Sequence, residues 1–158
     1  MKLAPVVGTV VSVLATAGMG CGDDADDTQC GPSASTVRRV IDGDTVELTD
    51  GTRVRYLLID APEIGSSPEC FGPEATTQNE ALVLGRDVSL EYDQECNDRF
   101  DRLLAYVFVS DRMVNEVMVQ RGFARVAVIA PNDFYEARLR VAEQEARTAG
   151  AGLWSSCP

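Results

Sequence analysis

The chain of 158 residues contains no histidine and a single lysine, Lys2. Without histidine there is no Ser-His-Asp triad, no Cys-His dyad, no imidazole base and no histidine-ligated zinc. Positive charge is also scarce. Thirteen arginines join Lys2 against 25 acidic residues, for a formal net charge of −11. That balance excludes loose, sequence-blind binding to nucleic acid through a basic surface. It leaves open a local anion site focused by a metal ion. The residue types left for chemistry are carboxylate and guanidinium, a pairing suited to a hard cation and an anionic substrate. Length and a 45% hydrophobic fraction are those of one globular domain.

Leu3 to Ala17 is uncharged but short, and after Lys2 it reads as a signal peptide over residues 1–20. Gly18 and Gly20 before Cys21 resemble a bacterial lipobox, which would make Cys21 a lipid anchor and the one link to a membrane. Cleavage after Ala15-Thr16-Ala17 is the competing expectation and releases a soluble product. Either way the protein is expected to be exported, as an envelope lipoprotein or as a secreted monomer. Gly22 to Thr28 holds four aspartates and one alanine, an acidic tether taken to cover residues 21–35. The folded domain is then 36–157. Setting Cys21 aside leaves Cys30, Cys70, Cys96 and Cys157, an even count that predicts two disulfides in an oxidising compartment. Three pairings are possible. A Cys30–Cys157 bridge would tie the two ends together and leave Cys70 with Cys96.

Strand signals run from Thr36 to Ile41, Thr45 to Leu48 and Thr52 to Ile59. The last two are joined by Asp50-Gly51, a type I′ hairpin signal. Gly72-Pro73-Glu74 opens a helix that stops at Gly85. Val88 to Tyr92 and Leu103 to Val109 are further strands. Met113, Val114, Val117 and Met118 recur at helical spacing and predict a short buried helix closed by Gly122. A last helix is expected near Asn132-Asp133, with Asp133 and Glu136 at the capping-box offset. Its stripe is Tyr135, Leu139, Ala142 and Ala146, and Trp154 is expected to dock back on the body. Three strands, a helix, two strands, then helices is the order of an OB-type barrel. The expected class is therefore α+β, mainly β, with five barrel strands and three helices.

Four carboxylates stand at strand ends. Asp42 and Asp44 flank Gly43, and Asp60 and Glu63 flank Ala61-Pro62. Taken singly, each is ordinary turn chemistry. Arg55 is less ordinary. It shares a strand face with Leu57 and Ile59, and a guanidinium there needs a partner. Simple alternation puts Arg55 and Asp60 on opposite faces, so their convergence would require a bend near the strand end, which Pro62 permits. Arg102 stands at a strand entrance, where a surface position is as natural as a site.

Together these segments resemble the staphylococcal nuclease (thermonuclease) family. The resemblance is carried by Val40-Ile41-Asp42-Gly43-Asp44-Thr45-Val46 and by Arg55 through Glu63. It continues in Phe71-Gly72-Pro73-Glu74-Ala75, Asp98 through Tyr106, Val114-Asn115-Glu116 and Gly152-Leu153-Trp154. The motifs are collinear from about Val37 to Trp154, which makes the set far more specific than any member.

The resemblance implies a calcium-dependent endonuclease, a phosphodiesterase hydrolysing DNA and RNA on an OB barrel. Asp44 and Asp60 would be direct Ca2+ ligands, with the backbone carbonyl of Ala61 as a third. Glu63 would hold the attacking water, Arg55 and Arg102 would clamp the phosphate, and Asp42 and Thr45 would support the site from its margin. Cys70 and Cys96 would lie on loops flanking it. There are departures. Asp101 stands where the best-known member has glycine, beside the catalytic arginine. Two nucleotide-contacting tyrosines would fall at Val128 and Ala130, and the lysine-rich loop before Gly72 becomes Ile64 to Phe71, without a cation. Two other expectations compete: a nuclease-like OB module that binds oligonucleotide or protein without cleaving, and an acidic calcium-binding surface lipoprotein. Retention of Asp44, Asp60, Glu63, Arg55 and Arg102 favours catalysis.

Overall fold

The computed structural model describes residues 30–158. The expected signal peptide, the Cys21 anchor and the aspartate run of the tether lie outside the described residues.

Twelve elements follow one another within the described residues. They are β1 (Ala34–Val40), β2 (Thr45–Leu48), β3 (Arg53–Tyr56), β4 (Ile59–Asp60), α1 (Gly72–Val83), β5 (Asp87–Glu91), β6 (Leu103–Val109), β7 (Arg112–Met113), α2 (Val114–Gln120), β8 (Arg125–Val126), α3 (Glu136–Ala149) and α4 (Leu153–Ser156). Strands β1, β2, β3, β6 and β5 form a closed five-stranded barrel. Its pairs are antiparallel except for β3 with β6, which run parallel and close it. This is the OB architecture, and the class is α+β, mainly β. Closure removes exposed strand edges. Strand β1 serves both sides. Ala34–Thr36 pair with β5, and Val37–Val40 pair with β2 across a register shift between Val37 and Arg39. Such an irregularity bends a strand enough to turn a barrel corner.

Alternate positions point inward, as a period of two requires. Val37, Val46, Leu48, Val54, Ala105 and Val107 are completely buried. Each larger aliphatic so buried contributes about 1.5–3 kcal/mol. Val114, Val117 and Met118 of α2 are buried, as is Met113, which the structure places in β7 and not in the helix, and α3 packs on α2 through Leu139, Ala142 and Ala146. Trp154 docks back, its ring lying 4.2 Å beneath the Arg147 guanidinium.

Several expectations change. The predicted strand Thr52–Ile59 stops at Tyr56, because Leu58 adopts φ 61° in a turn before β4. The β2–β3 hairpin is not type I′, which needs positive φ at two residues. Only Gly51 (φ 90°) has it. Gly51 N–H donates to Leu48 O at 3.0 Å and Leu48 N–H to Thr52 O at 2.8 Å. That is a three-residue loop with a glycine bulge. Helix α3 begins at Glu136 rather than near Asn132 and has no side-chain cap; Glu136 N–H donates to the Asp133 carbonyl instead. A fourth short helix, α4, adds to the three expected. Ala34 and Ser35, assigned to the tether, are paired in β1.

The disulfides are Cys30–Cys96 and Cys70–Cys157, not the Cys30–Cys157 and Cys70–Cys96 pairs. Cys30, just before β1, is thus joined to the loop before β6, and Cys157, just after α4, to the loop before α1.

Candidate active site

Arg55 on β3 is the centre of a polar cluster. Its side chain is only 18% exposed. Nη1 lies 3.1 Å from Asp44 Oδ2 and donates to the carbonyls of Ile59 (2.8 Å) and Tyr56 (3.1 Å); Nη2 donates to Asp60 Oδ1 at 2.9 Å. Strict alternation would have put Arg55 and Asp60 on opposite faces. The turn at Leu57-Leu58 reverses that parity and lets them meet. The bend lies at Leu58, before the Ala61-Pro62 corner.

Asp44 is buried, at 5% exposure, just before β2. Its Oδ2 accepts the Ala61 N–H at 2.6 Å, and its Oδ1 accepts the Thr45 hydroxyl at 3.1 Å. Asp42 Oδ1 accepts the Asp44 N–H at 3.0 Å. Burial pushes the Asp44 carboxyl up to about 7. The Arg55 charge opposes that rise and the Asp42 carboxylate adds to it. Asp60 is largely exposed, and Ala61 is buried. Glu63 follows on the loop before α1, its side chain exposed. Partial burial first, then the Asp42 and Asp60 carboxylates, hold Glu63 above the usual range, with Arg55 opposing. The structure thus brings Asp42, Asp44, Thr45, Arg55, Asp60, Ala61 and Glu63 together.

Two buried asparagines hold this arrangement. Asn79 on α1 donates from Nδ2 to the Asp42 carbonyl (2.9 Å) and accepts the Tyr56 hydroxyl at Oδ1 (2.9 Å). Asn115 on α2 donates to the Leu57 carbonyl (2.8 Å) and accepts the Val107 N–H (2.9 Å). Buried amides so satisfied fix their neighbours. The motif reading gave neither a role. One signal was present: Asn79 sits in the α1 stripe with Ala75 and Val83, where an apolar residue belongs.

Arg102 reaches the same region from the start of β6. It lines a cleft of about 640 Å³ that also includes Arg55, Asp60, Leu58, Phe100 and Ile129. Asp98 sets its direction. One carboxylate oxygen accepts Arg102 Nε (2.7 Å) and pairs with Nη2 (2.6 Å), while the other accepts the Arg102 and Phe100 backbone N–H groups (3.1 and 2.8 Å). Burial pushes the Asp98 carboxyl up, but these donors overcome it and hold the group below its ordinary value. Asp101 does not pull on Arg102. It is exposed and adopts φ 61°, the left-handed region that favours glycine.

The family described as Staphylococcal nuclease homologue matches the chain over residues 53–156. The chain belongs to the staphylococcal nuclease family. Among curated relatives, Endonuclease YncB of Bacillus subtilis is 40% identical over 128 residues, which is 76% of this chain and 61% of YncB. The SPbeta prophage-derived endonuclease YokF of the same organism is 39% identical over 76% of this chain and 43% of its own length. Thermonuclease of Staphylococcus intermedius is 36% identical over 124 residues, 75% of this chain and 74% of the thermonuclease. The chain therefore spans less than two thirds of YncB and YokF, and the family match leaves out β1, β2 and the turn between them that carries Asp42 and Asp44.

Among the described residues, no three acidic or thiol side chains form a metal-holding group. Two carboxylates, Asp44 and Asp60, do flank one guanidinium beside the Ala61 backbone. Carboxylate and carbonyl oxygens are the hard donors that calcium takes, with waters completing its flexible shell. The two carboxylates, Asp44 and Asp60, outnumber the single Arg55 charge between them. On donor chemistry and charge, the residues fit such an ion.

Proposed function

We propose that this chain is an exported, calcium-dependent phosphodiesterase that cuts DNA and RNA. The observation that supports it best is the cleft in which Arg55 of β3, Asp60 of β4 and Arg102, just before β6, come together.

In this reading Asp44, Asp60 and the Ala61 carbonyl hold Ca2+, with Asp42 and Thr45 steadying Asp44. Calcium bound there would supply positive charge to the phosphate and polarise water. Arg55 and Arg102 donate to the non-bridging phosphate oxygens, where charge grows as water attacks. Arg102 is suited to this, since Asp98 fixes Nε and Nη2 while Nη1 has no protein partner among the described residues. Glu63, exposed and with its carboxyl raised, takes a proton from the attacking water. The new bond to phosphorus forms as the ester P–O bond breaks. No step needs histidine.

Two disulfides support export to an oxidising compartment, and the chain is taken to act as a monomer. From residue 30 onward, 21 carboxylates face 13 arginines. That acidity weakens binding of long polyanions, so within the second reading, a non-catalytic module, it favours a protein partner over an oligonucleotide.

A plasmid and RNA degradation assay, with calcium and with chelator, separates the two. Protein lacking residues 1–21 should cut both substrates with calcium only. Glu63→Ala and Arg102→Ala should each lose on the order of 100-fold or more. Activity surviving chelation, or retained by both variants, refutes the mechanism; binding without cleavage by the unmodified protein supports the module.

A further inference from the structure

The exposed Glu63 side chain accepts no hydrogen bond from the described residues, so its direction is set by its backbone. That backbone is gripped from one place. The Glu63 N–H donates to Glu69 Oε2 at 3.1 Å, and the Glu69 N–H donates back to the Glu63 carbonyl at 2.9 Å. One residue thus satisfies both polar groups of Glu63 and closes residues 64–68 into a compact loop. The loop is fastened on its far side. The Glu69 carbonyl accepts the Gly72 N–H at 3.0 Å, at the start of α1. A Cβ at Gly72 would lie 2.5 Å from the Glu63 oxygen, so only glycine permits the helix to start so close. Cys70, next to Glu69, is joined to Cys157, and Phe71 stacks on Phe123 at 5.3 Å between ring centres.

We infer that Glu69 is a positioning residue for Glu63, and that the Cys70–Cys157 bridge anchors the resulting clamp to the C-terminal end of the fold. The inference rests on the nuclease reading for what Glu63 does, but not for how it is held. A misplacement of about 1 Å in a catalytic group lowers rate up to about 100-fold without removing the group. The clamp has a consequence for compartment: with Cys70 and Cys157 reduced, the loop keeps its Glu69 contacts but loses its anchor.

The test uses the full-length oxidised protein and two readouts, plasmid cleavage kinetics with calcium and hydrogen exchange at the Glu63 amide. Glu69→Ala should lower kcat about tenfold or more, leave KM within about twofold, and speed Glu63 exchange by about tenfold or more. Glu69→Gln keeps an acceptor oxygen and should restore both. The double variant Cys70→Ser with Cys157→Ser should show a smaller fall in kcat and faster exchange confined to residues 63–71. The inference is overturned if Glu69→Ala keeps normal Glu63 protection, or if Glu69→Gln fails as badly as Glu69→Ala. A general loss of protection across the barrel in Glu69→Ala, with Glu69→Gln normal in both readouts, supports the clamp, since the folded Gln variant then carries the comparison. If the unmodified protein does not cut nucleic acid, the nuclease reading falls, and the exchange data still decide the clamp.

Discussion

Replacing Asp44 with asparagine should stabilise the metal-free protein while abolishing its function. Asp44 is buried beside Asp42, and its carboxyl rises from the ordinary 3.8 to about 7. Above pH 7 the native state carries an ionised group that the unfolded chain ionises with far less cost. Each tenfold change in acidity corresponds to about 1.4 kcal/mol, so the cost is on the order of 4 kcal/mol. The direction follows from proton counts. Between about pH 4 and pH 7 the native state holds the Asp44 proton and the unfolded chain does not. Stability therefore falls as pH rises through that window. Asparagine copies the protonated form: its carbonyl can accept the Ala61 N–H and face Arg55, and its amide can donate to the Thr45 hydroxyl oxygen. Arg55 keeps Asp60 and two carbonyls. Urea unfolding of chelator-treated protein near pH 8 should show Asp44→Asn about 2–4 kcal/mol more stable than the unmodified chain. The gap should close to under about 1 kcal/mol near pH 4. If Asp44 holds calcium as proposed, adding the ion should stabilise the unmodified chain and not the variant. A variant less stable at pH 8 with chelator, or a gap that ignores pH, refutes the assignment of Asp44 as an under-neutralised carboxylate.

Other outcomes follow from the same structure. The disulfides close loops with sequence separations of 66 and 87, and chain entropy assigns each roughly 4 kcal/mol; reduction should lower the melting temperature by ten degrees or more, and an unchanged melt would contradict that. Asp101→Gly should raise stability by about 1 kcal/mol in denaturant titration by relieving the left-handed backbone, with Arg102-dependent cleavage unaffected. Asp98→Asn should lower kcat by releasing Arg102. Because the Asp98 carboxyl is held below its ordinary value, its contribution to stability is present above pH 4 and is lost as pH falls below that. The difference between Asp98→Asn and the unmodified chain should vanish in acid, and a constant difference would argue against the ion pair.

Sequence pattern alone determined much of this molecule. β-rich runs and helical spacing placed the barrel strands, α2 and the stripe of α3, because burial of apolar faces is a local, periodic signal, and α1 was marked by its Gly-Pro-Glu start and glycine stop. Residue chemistry also determined the excluded mechanisms, since no fold can supply a missing imidazole. The motifs were legible because Asp, Glu and Arg stand at unusual strand ends, and together they carried the family. What tertiary structure decided is mostly relational. Leu58 is an unremarkable leucine in sequence, yet its φ of 61° turns Arg55 toward Asp60. The cysteine count gave two bridges, but only the fold, which sets Cys30 against the loop of Cys96 and Cys70 against Cys157, selected their pairing. Asp98 and Glu69 were ordinary acidic residues until the fold set one against Arg102 and the other against Glu63. Such roles depend on hydrogen-bond geometry between segments, which periodicity and composition do not encode.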